Sequence, residues 1–201
     1  MAYAQYSMVM PSMSPYLRSM GPNGKHWYGA SVAVYSLSRM MLQPIMGKLG
    51  TSWSPKLCFA LASAVSVLGN AGYALAGQLG DSGGPQLLAA SRLVTGCAAA
   101  CSTLLQVYIA RTTTKDGRAY YMGLMASSGL GALALAPVLA LFFAHADFTI
   151  YKSYVFNVNT GPGYFSALIW LVLLLLIVSV FKDLPPAVRC VCPPGSGSNP
   201  L

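Results

Sequence analysis

The residues able to do chemistry are few, and they sit deep in apolar sequence. Arg92 is the sharpest of them, in Leu87-Leu-Ala-Ala-Ser-Arg-Leu-Val-Thr-Gly96, about six residues into a long apolar run. A guanidinium costs about 2.5–3.5 kcal/mol at the centre of a bilayer and less toward the interface. Such a group either faces a cavity, where it meets an anion or sets proton coupling, or snorkels to the nearer interface. Gly96 and the small residues after it suit a cavity wall. Arg39, two turns before Gly47, reads first as a snorkelling residue. Gln5, Tyr6 and Tyr16 lie in the first apolar run, Tyr35 in the second, and Gln106 and Tyr108 in the fourth. Each offers a hydrogen bond either to a solute or to a neighbouring helix. The four acids, Asp81, Asp116, Asp147 and Asp183, all fall in connections. With no carboxylate at membrane depth, an anionic substrate, or uniport and channel-like behaviour, is favoured over cation–proton exchange.

Other chemistries lack their residues. There is no Ser/His/Asp set and no phosphate loop, so neither an enzyme nor a cofactor is expected. Cys58, Cys97 and Cys101 lie in apolar runs and Cys190 and Cys192 near the C-terminus. Their spacing is not a secreted disulfide framework, and two histidines are too few to complete a zinc site with them. Cys97 and Cys101, four apart on one helix, read as small contact residues.

Composition says what must position these groups. Of 201 residues, 55% are hydrophobic and only 8% charged, against about 25% charged in a soluble domain. Mean hydropathy is +0.57. Sixteen charges cannot cover a soluble surface of this size, which excludes a soluble enzyme and leaves a polytopic membrane protein. The net charge of +8 comes from basic residues in short connections. That is the pattern of topology signals, and no nucleic-acid partner is expected.

A spanning helix needs about 20 apolar residues. Six are predicted, over about 2–20, 27–49, 56–79, 86–110, 119–145 and 164–181. The first contains Pro11 and Pro15 and lacks the basic start of a signal peptide. Predicted connections are Gly21–His26, Gly50–Pro55, Asp81–Pro85, Arg111–Arg118 and a longer one over 146–162. Residues 1–184 therefore form one all-α six-helix bundle, and the Pro/Gly/Ser-rich stretch 185–201 is read as a disordered tail. Lys48, Lys56, Arg111, Lys115, Arg118, Lys182 and Arg189 fall on one side, and Arg18, Lys25 and Lys152 on the other. Seven against three places both termini in the cytoplasm.

Helices in lipid associate through small residues. Candidate seams are Gly69, Gly72, Ala76 and Gly80 on the third helix and Gly96 and Ala100 on the fourth. The fifth offers Gly123, Ser127 and Gly131, with a second row at Ala132, Ala136, Ala140 and Ala144. Pro137 should bend the fifth helix. The sixth shows only large aliphatics, with Leu171 to Val178 unbroken, and is expected to face lipid.

These pieces together resemble the N-terminal half of a major facilitator superfamily transporter, over about residues 1–184. In that family the 2–3 loop carries Gly-x-Leu-x-Asp-Arg-x-Gly-Arg-Arg/Lys. Here it reads Gly47-Lys48-Leu49-Gly50-Thr51-Ser52-Trp53-Ser54-Pro55-Lys56, keeping the glycine, the leucine and the final base. Thr51 replaces the aspartate that anchors the family's gating loop by an ion pair. Arg92 and Gly96 match the helix-four motif, which implies a cavity-side arginine. Ala136-Pro137 stands where helix five has Gly-Pro. Ser14-Pro-Tyr16-Leu17, Ala33-Val-Tyr35-Ser36-Leu37 and Gln43-Pro44-Ile-Met-Gly47 are similar to the lysosomal ceroid-lipofuscinosis-type facilitators. Phe156-Asn157-x-x-Thr160-x-Pro162-Gly163 is similar to that group and to SPX-domain vacuolar phosphate carriers.

The resemblance implies alternating-access transport of a small solute between two six-helix halves, in a lysosomal or vacuolar membrane. Helices one, two, four and five would line the cavity, and the partners would be the bilayer, the solute and a second half or second copy. Arg92, Gln5, Tyr16, Tyr35 and Gln106 are the candidate substrate-binding or coupling residues, and Gly47, Lys48, Thr51 and Lys56 the gating loop. The alternatives are a non-transporting six-helix interaction protein and an incomplete gene product.

Overall fold

A computed structural model describes residues 2–21, 24–144, 148–151, 154–156 and 159–181. Seven α-helices make up almost all of it: α1 (Ala2–Ser19), α2 (Gly24–Ser52), α3 (Pro55–Leu75), α4 (Gly80–Ala99), α5 (Cys101–Thr112), α6 (Lys115–Ala144) and α7 (Gly161–Val180). A single turn at Ala100 parts α4 from α5, and the two run as one apolar span over Gly83–Thr112. The spans therefore number six, and the all-α membrane architecture holds. Among the described residues, three spans are long and apolar enough to cross a bilayer by composition alone: Pro55–Leu79, Gly83–Thr112 and Gly161–Val180. The 146–162 connection carries a short antiparallel hairpin, β1 (Phe148–Tyr151) with β2 (Tyr154–Phe156).

Three predicted breaks move. Helix α2 runs through Gly50 to Ser52, leaving only Trp53 and Ser54 between it and α3. The break is that short because Ser54 caps α3, its Oγ accepting from Leu57 N at 3.3 Å, and Pro55 fills the first turn. The break expected at Asp81–Pro85 lies instead at a 3₁₀ turn, Ala76–Leu79, and at Gly80, whose φ of 55° suits glycine. Pro85 lies inside α4, five residues past Gly80, and removes one backbone donor from its second turn. Gly161-Pro-Gly163, expected to close the connection, opens α7 with Pro162 in its first turn.

The helix pairing has an internal symmetry. Numbering the spans one to six, span one packs on five (α1 with α6), and span four packs on two (α4 and α5 with α2). Span three packs on six (α3 with α7), three on four (α3 with α4) and six on one (α7 with α1). Exchanging one with four, two with five and three with six maps this set onto itself, which is the mark of a 3+3 inverted repeat.

Small residues set the close approaches. A Cβ at Gly69 would lie 2.5 Å from Thr95 Cγ2, and one at Gly72 3.3 Å from Ser91 Cβ, so α3 and α4 meet backbone to backbone. A Cβ at Gly96 would fall 2.5 Å from Tyr35 O, which fixes α4 on α2. Two seam expectations are corrected. Helix α7 does carry a small-residue contact: a Cβ at Gly163 would be 2.7 Å from the Tyr73 ring and 3.2 Å from Ala74 Cβ. Its lower half, including Leu171, Val172, Leu175 and Val178, is exposed, as a lipid-facing surface should be. Conversely, Gly123, Ser127 and Gly131 on α6 are exposed, and nothing lies within 4 Å of a Cβ at Gly123 or Gly131. The side chains of Ala136, Pro137, Ala140 and Ala144 lie outside those described, as do residues 182–201.

Candidate functional site

The core builds the site. Val9, Met13, Tyr16 and Leu17 of α1, and Met20 just past its end, pack with Tyr73 and Ala76 of the third span and Leu88 of α4. Tyr73 is fully buried at their centre. Its hydroxyl lies 3.3 Å from Ser12 Oγ, and its ring is tilted against Tyr16 at 5.3 Å between centroids. The Tyr16 hydroxyl accepts from Gly77 N at 2.7 Å and can donate to the carbonyl of Tyr73 at 3.2 Å or of Ala74 at 3.3 Å. It thus holds the 3₁₀ turn below α3, where the helix has run out of its own donors and acceptors.

Arg92 lies on this floor. It is only 4% exposed, and its guanidinium carbon is 4.5 Å from the Tyr73 ring centroid, a desolvated cation–π contact. Snorkelling does not describe it. Its Nε and Nη2 atoms are buried and have no hydrogen-bond partner among the described residues. Next to it, Tyr35 of α2 stacks on Tyr6 of α1, with centroids 5.3 Å apart and planes at 29°. Arg39, one turn along α2, brings a second positive charge near the Tyr35 hydroxyl. Arg92, Tyr35, Tyr6, Val9, Met10, Met13, Ser31 and Val32 line one narrow recess of about 10 Å³, room for about one water.

The sequence-derived residues separate into groups. Arg92 and Tyr35 come together in the recess. Tyr16 stands behind them, one ring removed through Tyr73. Gln5 is buried but does not line the recess. Its Nε2 donates to Asn70 Oδ1 at 2.8 Å and its Oε1 accepts from Trp170 Nε1 at 2.7 Å, so the amide ties α1 to α3 and α7. Gln106 is exposed on α5 and away from the recess. Five residues of the recess were not singled out from sequence: Ser31, which is fully buried, and Val9, Met10, Met13 and Val32. An isolated serine in an apolar helix carries no signal until its hydroxyl is seen to lack a partner. A larger apolar cleft, of about 210 Å³ and lined by Phe59, Leu105, Met125, Trp170 and Ile177 among others, contains no charged group.

The gating-loop residues lie at the opposite end of α2. Gly47 packs near Thr103, and Lys48 is exposed. The Thr51 hydroxyl donates to Lys48 O at 2.7 Å. Arg111 Nη1 donates to the carbonyls of Gly50 at 3.3 Å and Thr51 at 3.4 Å, and Lys56 Nζ to Val178 O at 2.9 Å. Arg118 Nη2 donates to Ala110 O at 2.7 Å. Each cation thus meets the carbonyl end of a helix, where the macrodipole favours positive charge.

Six spans paired as an inverted repeat around a buried arginine are the architecture of a polytopic membrane protein. The family model of the Major Facilitator Superfamily matches residues 1–189, and the chain belongs to that superfamily. It is an integral membrane protein of a transporter family. A search of the curated proteins finds no match to it.

Proposed function

We propose that this chain forms one six-helix half of an alternating-access carrier for a small anionic solute, and that Arg92 receives the anion. The observation that carries the reading is the state of Arg92: buried, resting on an aromatic ring, and with two nitrogens that have no partner among the described residues. A buried unpaired charge is costly, and a membrane-depth arginine marks a solute path more often than a strut. Tyr35 completes the polar wall. Gln5 and Tyr16 act as the frame that holds α1 against α3, and Gln106 would meet solute only outside the recess.

The second half, or a second copy, would dock on α2 and α6. These are spans two and five, exchanged by the repeat, and both present exposed small residues: Gly29, Ala30 and Ala33 on α2, and Gly123, Ser127 and Gly131 on α6. The basic side chains that meet helix carbonyls support a gating latch built without the family's aspartate. They also support both termini facing the cytoplasm. The resemblance of short motifs to lysosomal and vacuolar carriers is the basis for placing the chain in a lysosomal or vacuolar membrane.

The test is uptake of a panel of labelled small anions into proteoliposomes carrying the assembled protein. Arg92→Ala should abolish uptake of the transported anion while the protein stays monodisperse. Unchanged uptake with unchanged affinity would sink the role of Arg92.

A further inference from the structure

The larger apolar cleft is built from the break in span four. Around the turn at Ala100 small residues follow one another, and Ala98, Ala99, Cys101 and Ser102 line the cleft where that wall recedes. The third, fifth and sixth spans supply the other walls through Phe59 and Ser63, Met125 and Ser128, and Trp170 and Ile177. Three polar groups of these walls are committed elsewhere. Ser63 Oγ donates to Phe59 O and Ser128 Oγ to Met125 O, both at 2.8 Å, and Trp170 Nε1 donates to Gln5 Oε1 at 2.7 Å. A cavity so lined takes hydrocarbon in preference to water. It also runs along the helices: its lining extends from Trp170 to Ile177 on α7 and from Ala98 to Leu105 on span four, about 10 Å each at 1.5 Å per residue. The volume of about 210 Å³ has room for about seven groups of water or methylene size, at roughly 30 Å³ each. A partner helix, about 10–12 Å across, is too thick for it.

One end of the cleft is marked by its chemistry. Helices α3 and α6 begin at that end, and α5 and α7 finish there. Helical spacing of three, four or seven residues carries each lining stripe toward it. The stripe of Phe59 reaches Lys56, that of Leu105 Tyr108, that of Met125 Arg118, and that of Ile177 Phe181. Phe59, Tyr108 and Phe181 form one aromatic cluster, with centroids 6.3, 6.0 and 5.8 Å apart. Lys56 is half-buried and Arg118 exposed. Each gives one donor nitrogen to a helix carbonyl, and an ammonium has three N–H groups and a guanidinium five. Lys48, Lys56, Arg111, Lys115 and Arg118 stand at this end against one acid, Asp116. Hydrocarbon wall, then aromatic rings, then cations is the order in which a phospholipid presents its chain, its interface and its phosphate. The positive surplus selects an anionic headgroup over a zwitterionic one.

We propose that this cleft binds one anionic phospholipid of the surrounding bilayer, with an acyl chain lying along Leu105 and Trp170 and the headgroup at the end marked by Lys56 and Arg118. The site is separate from Arg92 and does not depend on what Arg92 receives.

The test is tryptophan quenching in vesicles. The full chain carrying Trp27→Phe and Trp53→Phe keeps Trp170, on the cleft wall, as its one indole. It is reconstituted in phosphatidylcholine vesicles with increasing fractions of brominated-chain phosphatidylglycerol or brominated-chain phosphatidylcholine. Half-quenching should need at least about fivefold less of the anionic lipid, as two cations near the membrane surface allow. Lys56→Gln with Arg118→Gln should bring the two curves together. Ser128→Leu and Ser102→Leu fill the cleft from opposite walls, and each should abolish the preference while the protein stays monodisperse. Equal curves for the two lipids in the parent chain would overturn the anionic headgroup. A preference untouched by either leucine would place the lipid elsewhere on the surface and overturn the cleft as its seat. A preference untouched by the paired glutamines would overturn the assignment of Lys56 and Arg118. Quenching by neither lipid would mean that something other than lipid covers the cleft, and would overturn the proposal outright.

Discussion

Replacing Arg92 by methionine should make the unliganded protein more stable while removing its anion binding. The magnitude follows from the surroundings of Arg92. Holding the guanidinium at membrane depth costs about 2.5–3.5 kcal/mol. The Tyr73 ring beneath it, 4.5 Å from Cζ to the centroid, returns about 2 kcal/mol when desolvated. The balance is about 1 kcal/mol against the arginine, with Nε and Nη2 unmet in addition. Methionine fills much of the same length, carries no charge, and keeps a sulfur–aromatic contact with Tyr73. For a chain of this size a gain of about 1 kcal/mol raises the midpoint by about 2–4 °C. The assay is a thermal melt in detergent followed by fluorescence of the three tryptophans, read with and without anion. A fall in midpoint on substitution would refute the reasoning. It would mean that Arg92 is a strut whose contacts already repay its burial, and so not a group held ready for a ligand.

Other substitutions separate frame from site. Gln5→Leu leaves Asn70 Oδ1 and Trp170 Nε1 without their partners and should lower stability by about 1 kcal/mol, the scale of interhelical hydrogen bonds in membranes, as urea or thermal melts would detect. Gly163→Val drives a side chain into Tyr73 and Ala74 and should cost about 1–3 kcal/mol through overpacking, with loss of monodispersity on size exclusion as the readout. Gly131→Leu meets open space, so the chain's own melt should not fall. If α6 docks a second half or copy, the same substitution should reduce cysteine cross-linking across that face severalfold. Arg111→Gln removes the charge that meets the Gly50 and Thr51 carbonyls and should shift transport kinetics measured in proteoliposomes while anion affinity stays constant.

The spans were legible because 20-residue apolar runs and basic connections are strong signals. Their ends were less so. Gly50 and Pro55 read as loop because both break helices in isolation, yet a glycine buried against Leu104 and a proline in a first turn are helix-compatible. The α6 glycine row read as an internal seam because spacing states that a helix packs closely without saying on what. The same limit hid the Gly163 contact, since one glycine at the mouth of an aliphatic helix makes no row. Within the site, Arg92 was legible as a charge out of place. Ser31 was not, because its meaning lies in a hydroxyl with no partner, which only the packing reveals. Gln5 was legible as a buried polar group, but whether it meets solute or a neighbouring helix depended on Asn70 and Trp170, 65 and 165 residues away.

The measurement that tests the central claim most directly is the anion dependence of the melting midpoint in wild type and Arg92→Gln. Ligand at a hundred times its dissociation constant stabilises by about 2.7 kcal/mol, which is about 5–10 °C for a chain of this length. The wild-type midpoint should rise by that amount with the transported anion at saturation, and the Arg92→Gln midpoint should not move. Equal rises in the two proteins would contradict the assignment of Arg92 as the residue that receives the anion.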